Sequence, residues 1–202
     1  MDWHHRHPIP PAERTRRWIL SIACSSHHVF EIEMSRLPEI REAKEGDIQQ
    51  LLALRLEALQ QHPLAFSSSP DDDRLDLEHL QNVISEDKQV IFCAAHGENI
   101  VGMVGAFVQP QRKLSHRCDV WGAYLRASER GHGVGRQLME AVVDRARSWN
   151  CESIDVGVTS GSKEAIGLYQ SLGFVSCGIV ARAIVDGEHA TSEHIMVLHL
   201  EK

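Results

Sequence analysis

Two short stretches of the sequence carry residue types that could do chemistry. The first is Ser128-Glu129-Arg130-Gly131-His132-Gly133-Val134-Gly135-Arg136. Glycines let a backbone approach a ligand closely, and amides at the start of a helix point out at whatever sits there. Arg130 and Arg136 add positive charge at either side. The combination suits a pyrophosphate. It lacks the Gly-Lys-Ser/Thr ending of a P-loop, and its third glycine falls one residue early for a dinucleotide fingerprint. Taken alone, the turn is equally compatible with a purely structural role. The second stretch is Leu168-Tyr169-Gln170-Ser171-Leu172-Gly173-Phe174. A phenol with a reference pKa of about 10 stays protonated at neutral pH and can give a proton to a thiolate leaving group. Read by itself, Tyr169 is a half-buried helix residue.

The elements that hold these stretches follow from hydrophobic period and stop signals. Residues 39–43 read as a strand. Asp47 is a good N-cap for a helix to about Gln61, with Ile48, Leu51, Leu52, Leu54, Leu56 and Leu59 as its apolar positions and Pro63 as its stop. Asp71-Asp72-Asp73 is an acidic start for a second helix through Leu75, Leu77, Leu80, Val83 and Ile84. Strands over 89–95 and 100–108 flank a turn at 96–99, and a longer strand over 116–125 runs into the glycine-rich turn. A helix from Val134 to Trp149, a strand over 154–159, a helix over 163–172 stopped by Gly173, and a closing hairpin (175–185 and 191–200) complete the chain. The order is β-α-α-β-β-β-α-β-α-β-β. That pattern gives an α/β fold with a mixed sheet and helices on its faces.

Composition narrows the partners. The 202 residues hold 21 Lys and Arg against 28 Asp and Glu, a net charge of −7. That excludes a protein that coats nucleic acid, which needs a basic excess. Residues 1–33 hold four basic and four acidic residues, so the whole negative balance belongs to residues 34–202. The five cysteines (Cys24, Cys93, Cys118, Cys151 and Cys177) are odd in number and form no CxxC pair, which favours a reduced, cytoplasmic setting over a disulfide framework. Thirteen histidines are present, but no HExxH and no His-Cys cluster at ligand spacing, so no metal is expected. Residues 1–33 show no clear period and read as a poorly ordered extension ahead of a folded domain over 34–202. The apolar run Trp18 to Cys24 is too short to cross a bilayer, which takes about 20 residues.

Together the two stretches resemble the GNAT (Gcn5-related N-acetyltransferase) family. Its acetyl-CoA motif, Arg/Gln-x-x-Gly-x-Gly/Ala, is matched by Arg130, Gly133 and Gly135, and its later Leu-Tyr and Gly-Phe are matched by Leu168, Tyr169, Gly173 and Phe174. The resemblance implies an N-acetyltransferase with acetyl-CoA as cosubstrate. The amides of Gly131, His132, Gly133, Val134, Gly135 and Arg136 would then hold the pyrophosphate, beside Arg130. The backbone of Ala123, Tyr124 and Leu125 would pair with the pantetheine arm at a β-bulge that splays two parallel strands. Tyr169 would be the general acid for the CoA sulfur, an amide near Leu125 would polarise the thioester carbonyl, and a small-molecule or peptide amine would attack directly. The family often has Asn seven residues before the Tyr. Ser162 stands there and is either a weaker cofactor contact or a helix N-cap. Homodimers are common in the family.

An amine must lose a proton before it attacks. Asp119, on the strand leading into the turn, resembles the strand carboxylate that some family members use as the base. Strand alternation would set it on one face with Trp121, Ala123 and Leu125. It could equally be an exposed strand residue, with water as the base. Glu57 on the first helix is a weaker candidate. Two other readings remain: a non-catalytic module that binds or senses acyl-CoA, and a nucleotide-binding protein.

Overall fold

The computed structural model describes residues 37–201, so the extension expected over residues 1–33 lies outside the described residues. Seven strands and four helices alternate as the sequence predicts: β1 (Glu39–Glu42), α1 (Ile48–Gln61), α2 (Leu77–Ser85), β2 (Gln89–His96), β3 (Asn99–Val108), β4 (Arg117–Leu125), α3 (Val134–Ser148), β5 (Ser153–Thr159), α4 (Lys163–Ser171), β6 (Val175–Asp186) and β7 (His189–His199). The strands form one sheet in the order β1-β2-β3-β4-β5-β7-β6. Every neighbouring pair is antiparallel except β4 and β5. Among the described residues no helix is long and apolar enough to cross a membrane, and no three His, Cys, Asp or Glu side chains cluster as metal ligands.

The sheet buries both faces over its first strands. On one face, Val134, Leu138 and Val142 recur at helical spacing along α3 and pack with Val104, Ile154, Val156 and Tyr169. On the other, Leu51, Leu54 and Ala58 of α1 and Leu80 and Val83 of α2 pack on Ile91, Met103 and Tyr124. Leu56, an expected core position of α1, is exposed. The described cysteines divide by depth. Cys93, Cys118 and Cys151 are buried, with desolvation pushing the first two thiols up to about 12, while Cys177 on β6 is exposed.

Two helix starts differ from the sequence reading. Asp47 does precede α1, but its carboxylate does not cap that helix. It accepts from Lys44 N–H and from both terminal nitrogens of Arg41, stapling β1 to a 3-10 turn. The Asp71-Asp72-Asp73 run does not start α2, whose cap is Asp76 accepting from His79 N–H at 2.8 Å. Asp72 is taken by Ser69, and Asp73 forms a forked pair with Arg55 on α1. In both cases groups that precede the helix take the carboxylates, from Ser69 and Lys44 three residues away to Arg55 eighteen away.

The feature that opens the sheet is one extra residue in β4. The register with β3 pairs Gly105 with Trp121 but Met103 with Tyr124, leaving Gly122 as a bulge at φ +62°. The bulge reverses the strand's alternation. Cys118 and Val120 before it pack toward α3, and so does Leu125 after it, while Trp121 and Tyr124 both pack toward α1 and α2. Asp119 and Trp121 therefore do not share a face with Leu125, contrary to simple alternation. The parallel ladder between β4 and β5 holds only for Arg117–Asp119 against Ser153–Asp155 and then ends.

Trp121 is seated by a second glycine. A Cβ at Gly105 would fall inside the Trp121 indole. Gly105→Ala is expected to cost about 1–3 kcal/mol through overpacking and to displace that ring. Calorimetric melting together with the Trp121 fluorescence maximum checks this. An unchanged melt with unchanged fluorescence would contradict the packing.

Candidate active site

Where β4 and β5 part, a cavity of about 830 Å³ opens. Its walls come from the end of β4 (Ala123, Tyr124, Leu125), the turn before α3 (Arg130, Gly131, Gly133), the α3 start (Gly135, Arg136), the α4 start (Gly161, Ser162, Glu164, Ala165), Leu168 and Tyr169, and the segment after α1 (His62, Ala65, Phe66). Ligands bind at the carboxyl ends of parallel strands in open α/β sheets for the same reason: helix N-termini converge there.

The α3 start turns backbone amides and Arg136 to the cavity. Gly133 caps the helix at φ +85° with no side-chain cap, and Gly131 sits at φ +81°. A Cβ at either would meet nothing within 4 Å, so glycine is required by backbone conformation rather than by space. The intrahelical ladder begins with Gln137 N–H to Gly133 C=O, which leaves the amides of Val134, Gly135 and Arg136 without helix partners. The Val134 side chain is in the core, so only its amide is available. The His132 side chain is exposed and is not part of the cavity wall. Arg136 reaches Ser171 Oγ at 2.7 Å and ties the α3 start to the α4 end.

The β4 end offers a backbone edge. Arg126 N–H bonds Val101 C=O, and bonded pairs alternate along an antiparallel ladder. Tyr124 therefore turns its backbone to Met103 on β3, and Ala123 and Leu125 turn theirs to the open side. Of the three residues expected to offer backbone contacts, Ala123 and, through its N–H, Leu125 face the open side. The Leu125 C=O already accepts from Arg130 Nε at 2.8 Å. Tyr124 serves through its side chain: its hydroxyl meets Glu57 at 2.9 Å and its burial pushes the phenol up to about 12.

Tyr169 is positioned by the Gly-Phe that follows it. Phe174 N–H bonds Tyr169 C=O and Gly173 N–H bonds Gln170 C=O, the two bonds of a Schellman stop, with Gly173 at φ +94°. The same turn lays the Phe174 ring 5.5 Å from the Tyr169 ring. Tyr169 is 5% exposed, lines the cavity, and no hydrogen bond to its hydroxyl is formed among the described residues. Desolvation pushes its phenol up to about 12, so it stays protonated well above neutral pH.

Ser162 is not a side-chain cap. Its hydroxyl meets Thr159 Oγ1 at 3.0 Å at the cavity wall. Asp119 lies outside the cavity wall and is held by the Gln109 amide. Glu57 is likewise outside it, held low first by the Arg126 side chain. Sequence reasoning missed His62, which lines the cavity and contacts Arg130. A second hollow of about 400 Å³, walled by Arg55, Asp73, Arg74, His79 and Trp121, lies on the α1–α2 side.

These parts define a class by architecture: an α/β protein whose sheet splits over a cavity lined by the start of α3 and the end of β4. The model of the Acetyltransferase (GNAT) family matches residues 51–174, and the chain belongs to that family. It resembles in fold the acetyltransferase of GNAT family from Streptococcus pneumoniae (23% identity, TM-score 0.72, covering 82% of this chain and 100% of that one). It also resembles yncA of Salmonella typhimurium, solved with its cofactor acetyl-CoA (19% identity, TM-score 0.72, covering 83% and 96%). Over 55 residues it is 38% identical to the L-methionine sulfoximine/L-methionine sulfone acetyltransferase of Pseudomonas aeruginosa, which is 27% of this chain and 32% of that protein. Over 79 residues it is 28% identical to the L-2,4-diaminobutyric acid acetyltransferase of Shouchella clausii, 39% and 43% of the two chains. The chain thus spans less than half the length of these curated relatives.

Proposed function

We propose that the protein transfers the acetyl group of acetyl-CoA to an amine of a small molecule or peptide. One observation carries this reading: a single cavity gathers the α3 amides that lack helix partners, the outward-turned backbone of Leu125 and a Tyr169 hydroxyl with no partner among the described residues. The α3 amides and Arg136 hold the pyrophosphate. Ala123 and Leu125 pair with the pantetheine arm. The Leu125 N–H donates to the thioester oxygen as negative charge develops there. Tyr169 donates to the departing sulfur. A phenol at about 12 is a weak acid toward a free thiolate, but the same dry surroundings raise the basicity of that sulfur too. The amino acids in the relatives' names, L-methionine sulfoximine and L-2,4-diaminobutyric acid, make amino acids with free amines the first class to test.

CoA thiol release across a panel of amino acids, polyamines and peptides tests the reading. Tight acetyl-CoA binding with no turnover on any amine would turn it into a binding module.

Asp119 is not assigned the base here, because it stands outside the cavity wall and is bonded to Gln109. Burial raises its carboxyl above the ordinary value. The folded state therefore favours the protonated form, and stability falls as pH rises from the ordinary carboxylate value through the raised one. Asp119→Asn is expected to leave turnover within about threefold and to melt no lower than the parent at pH 7, the gap between the two closing in acid. Melting and rate measured across pH check both parts. A hundredfold loss of turnover with intact melting would restore Asp119 as the base.

A further inference from the structure

We propose that His62 takes the proton from the acceptor amine, and that acyl-CoA uncovers it for the task. The inference rests on the acetyl-transfer reading above. α1 stops at Gln61, and His62 is its C-terminal cap at φ −135° and ψ 62°. Pro63 follows, and a residue before proline is driven out of helical geometry. The ring leaves the helix and joins the cavity wall, 5.9 Å from the Tyr124 ring. Its Nε2 lies 3.2 Å from Arg130 Nη2. A guanidinium only donates, so in this contact Nε2 is the acceptor. A base needs that Nε2 lone pair, and Arg130 covers it.

Arg130 belongs to the turn that faces the pyrophosphate. Its Nε holds Leu125 C=O at 2.8 Å, and its guanidinium lies 5.8 Å from the centre of the Tyr124 ring. A phosphate is an anionic acceptor, and an imidazole is a neutral one. Charge-assisted hydrogen bonds are the stronger, so an arriving pyrophosphate draws the Arg130 terminal nitrogen off His62. Nε2 then opens to the cavity only when a CoA pyrophosphate is in place. The other polar groups around the ring are Tyr124 from β4 and Gln61 and Glu57 from α1. Gln61 and Glu57 both meet the Tyr124 hydroxyl, and Glu57 is further paired with Arg126. Glu57 is thereby held low and engaged, so of the acceptors on the α1 side of the cavity the imidazole is the one that Arg130 can release.

The step balances. The substrate ammonium loses one proton to His62 Nε2, and the freed nitrogen lone pair forms a bond to the thioester carbon. The tetrahedral adduct collapses, the C–S bond breaks, and Tyr169 gives its proton to sulfur. The nitrogen of the adduct releases its second proton to solvent as the amide forms. His62 returns its proton to solvent, and Tyr169 takes one back.

His62→Gln tests the assignment while keeping an oxygen for Arg130 to donate to. The variant is expected to lose at least about tenfold in kcat/KM for the amine at neutral pH, to lose the acid limb of that pH profile, and to keep its acetyl-CoA affinity and melting temperature. On the unmodified protein, imidazole 15N shifts are expected to report an Nδ1–H tautomer accepting at Nε2, and to lose the acceptor signature when CoA is added. An unchanged pH profile in His62→Gln, or a ring spectrum indifferent to CoA, overturns the proposal. Absence of turnover by the unmodified protein on every amine overturns the acetyl-transfer reading itself. Turnover that survives intact in His62→Gln overturns only the base.

Discussion

Tyr169→Phe is expected to lower kcat roughly 10- to 1,000-fold while acetyl-CoA affinity stays within about twofold. The two halves of the expectation have separate causes. The hydroxyl forms no hydrogen bond among the described residues, so its removal leaves none of their buried groups unsatisfied. The ring stays pinned by Phe174 and by the helix stop at Gly173. What disappears is the phenolic donor at the cavity wall that the proposed reaction uses. Steady-state kinetics, cofactor binding and melting on the same variant separate these effects. An unchanged kcat would remove Tyr169 from the reaction. A matched fall in melting temperature would make it a packing residue.

The second large effect is expected at Gly133. Its φ of +85° lies where an ordinary L-residue costs about 1–2 kcal/mol, and no neighbouring atom would clash with a Cβ. Any penalty therefore comes through the backbone alone. Relaxing that strain rotates the first-turn amides of α3 away from the phosphates. A series Gly133→Asn, Gly133→Ala, Gly133→Val is expected to raise the acetyl-CoA KM in that order, by roughly tenfold or more at Val, because Asn tolerates the left-handed region best and β-branched residues least. The amine KM should move little. Equal KM across the series would mean the turn does not hold the phosphates.

Much of this was legible before any coordinates. The order of elements followed from apolar spacing and from Gly and Pro stops, because those signals are local. The two motifs were legible for the same reason: a glycine turn at a helix start and a Gly-Phe after a helix each act within a few residues. Three things were not legible. Gly122 sits in an otherwise regular strand, and nothing local says that its φ is positive, so alternation was carried through it onto the wrong face. Asp47 and Asp73 looked like helix signals because their arginine partners, Arg41 and Arg55, are supplied by the fold. His62 was one histidine among thirteen, and its partner Arg130 stands 68 positions later.

The burial of the cysteines has a practical consequence for following thiol release. A thiol reagent reacts with thiolate, and groups pushed up to about 12 carry almost none at neutral pH. Cys93 and Cys118 are therefore silent sulfurs, and buried Cys151 is shielded as well. Cys177 is the described sulfur that colours a reagent blank. It sits on β6, an edge strand with β7 between it and β5, and it is not part of the cavity wall. The same position makes it a chemical handle: a dye placed there would be attached outside the cavity lining.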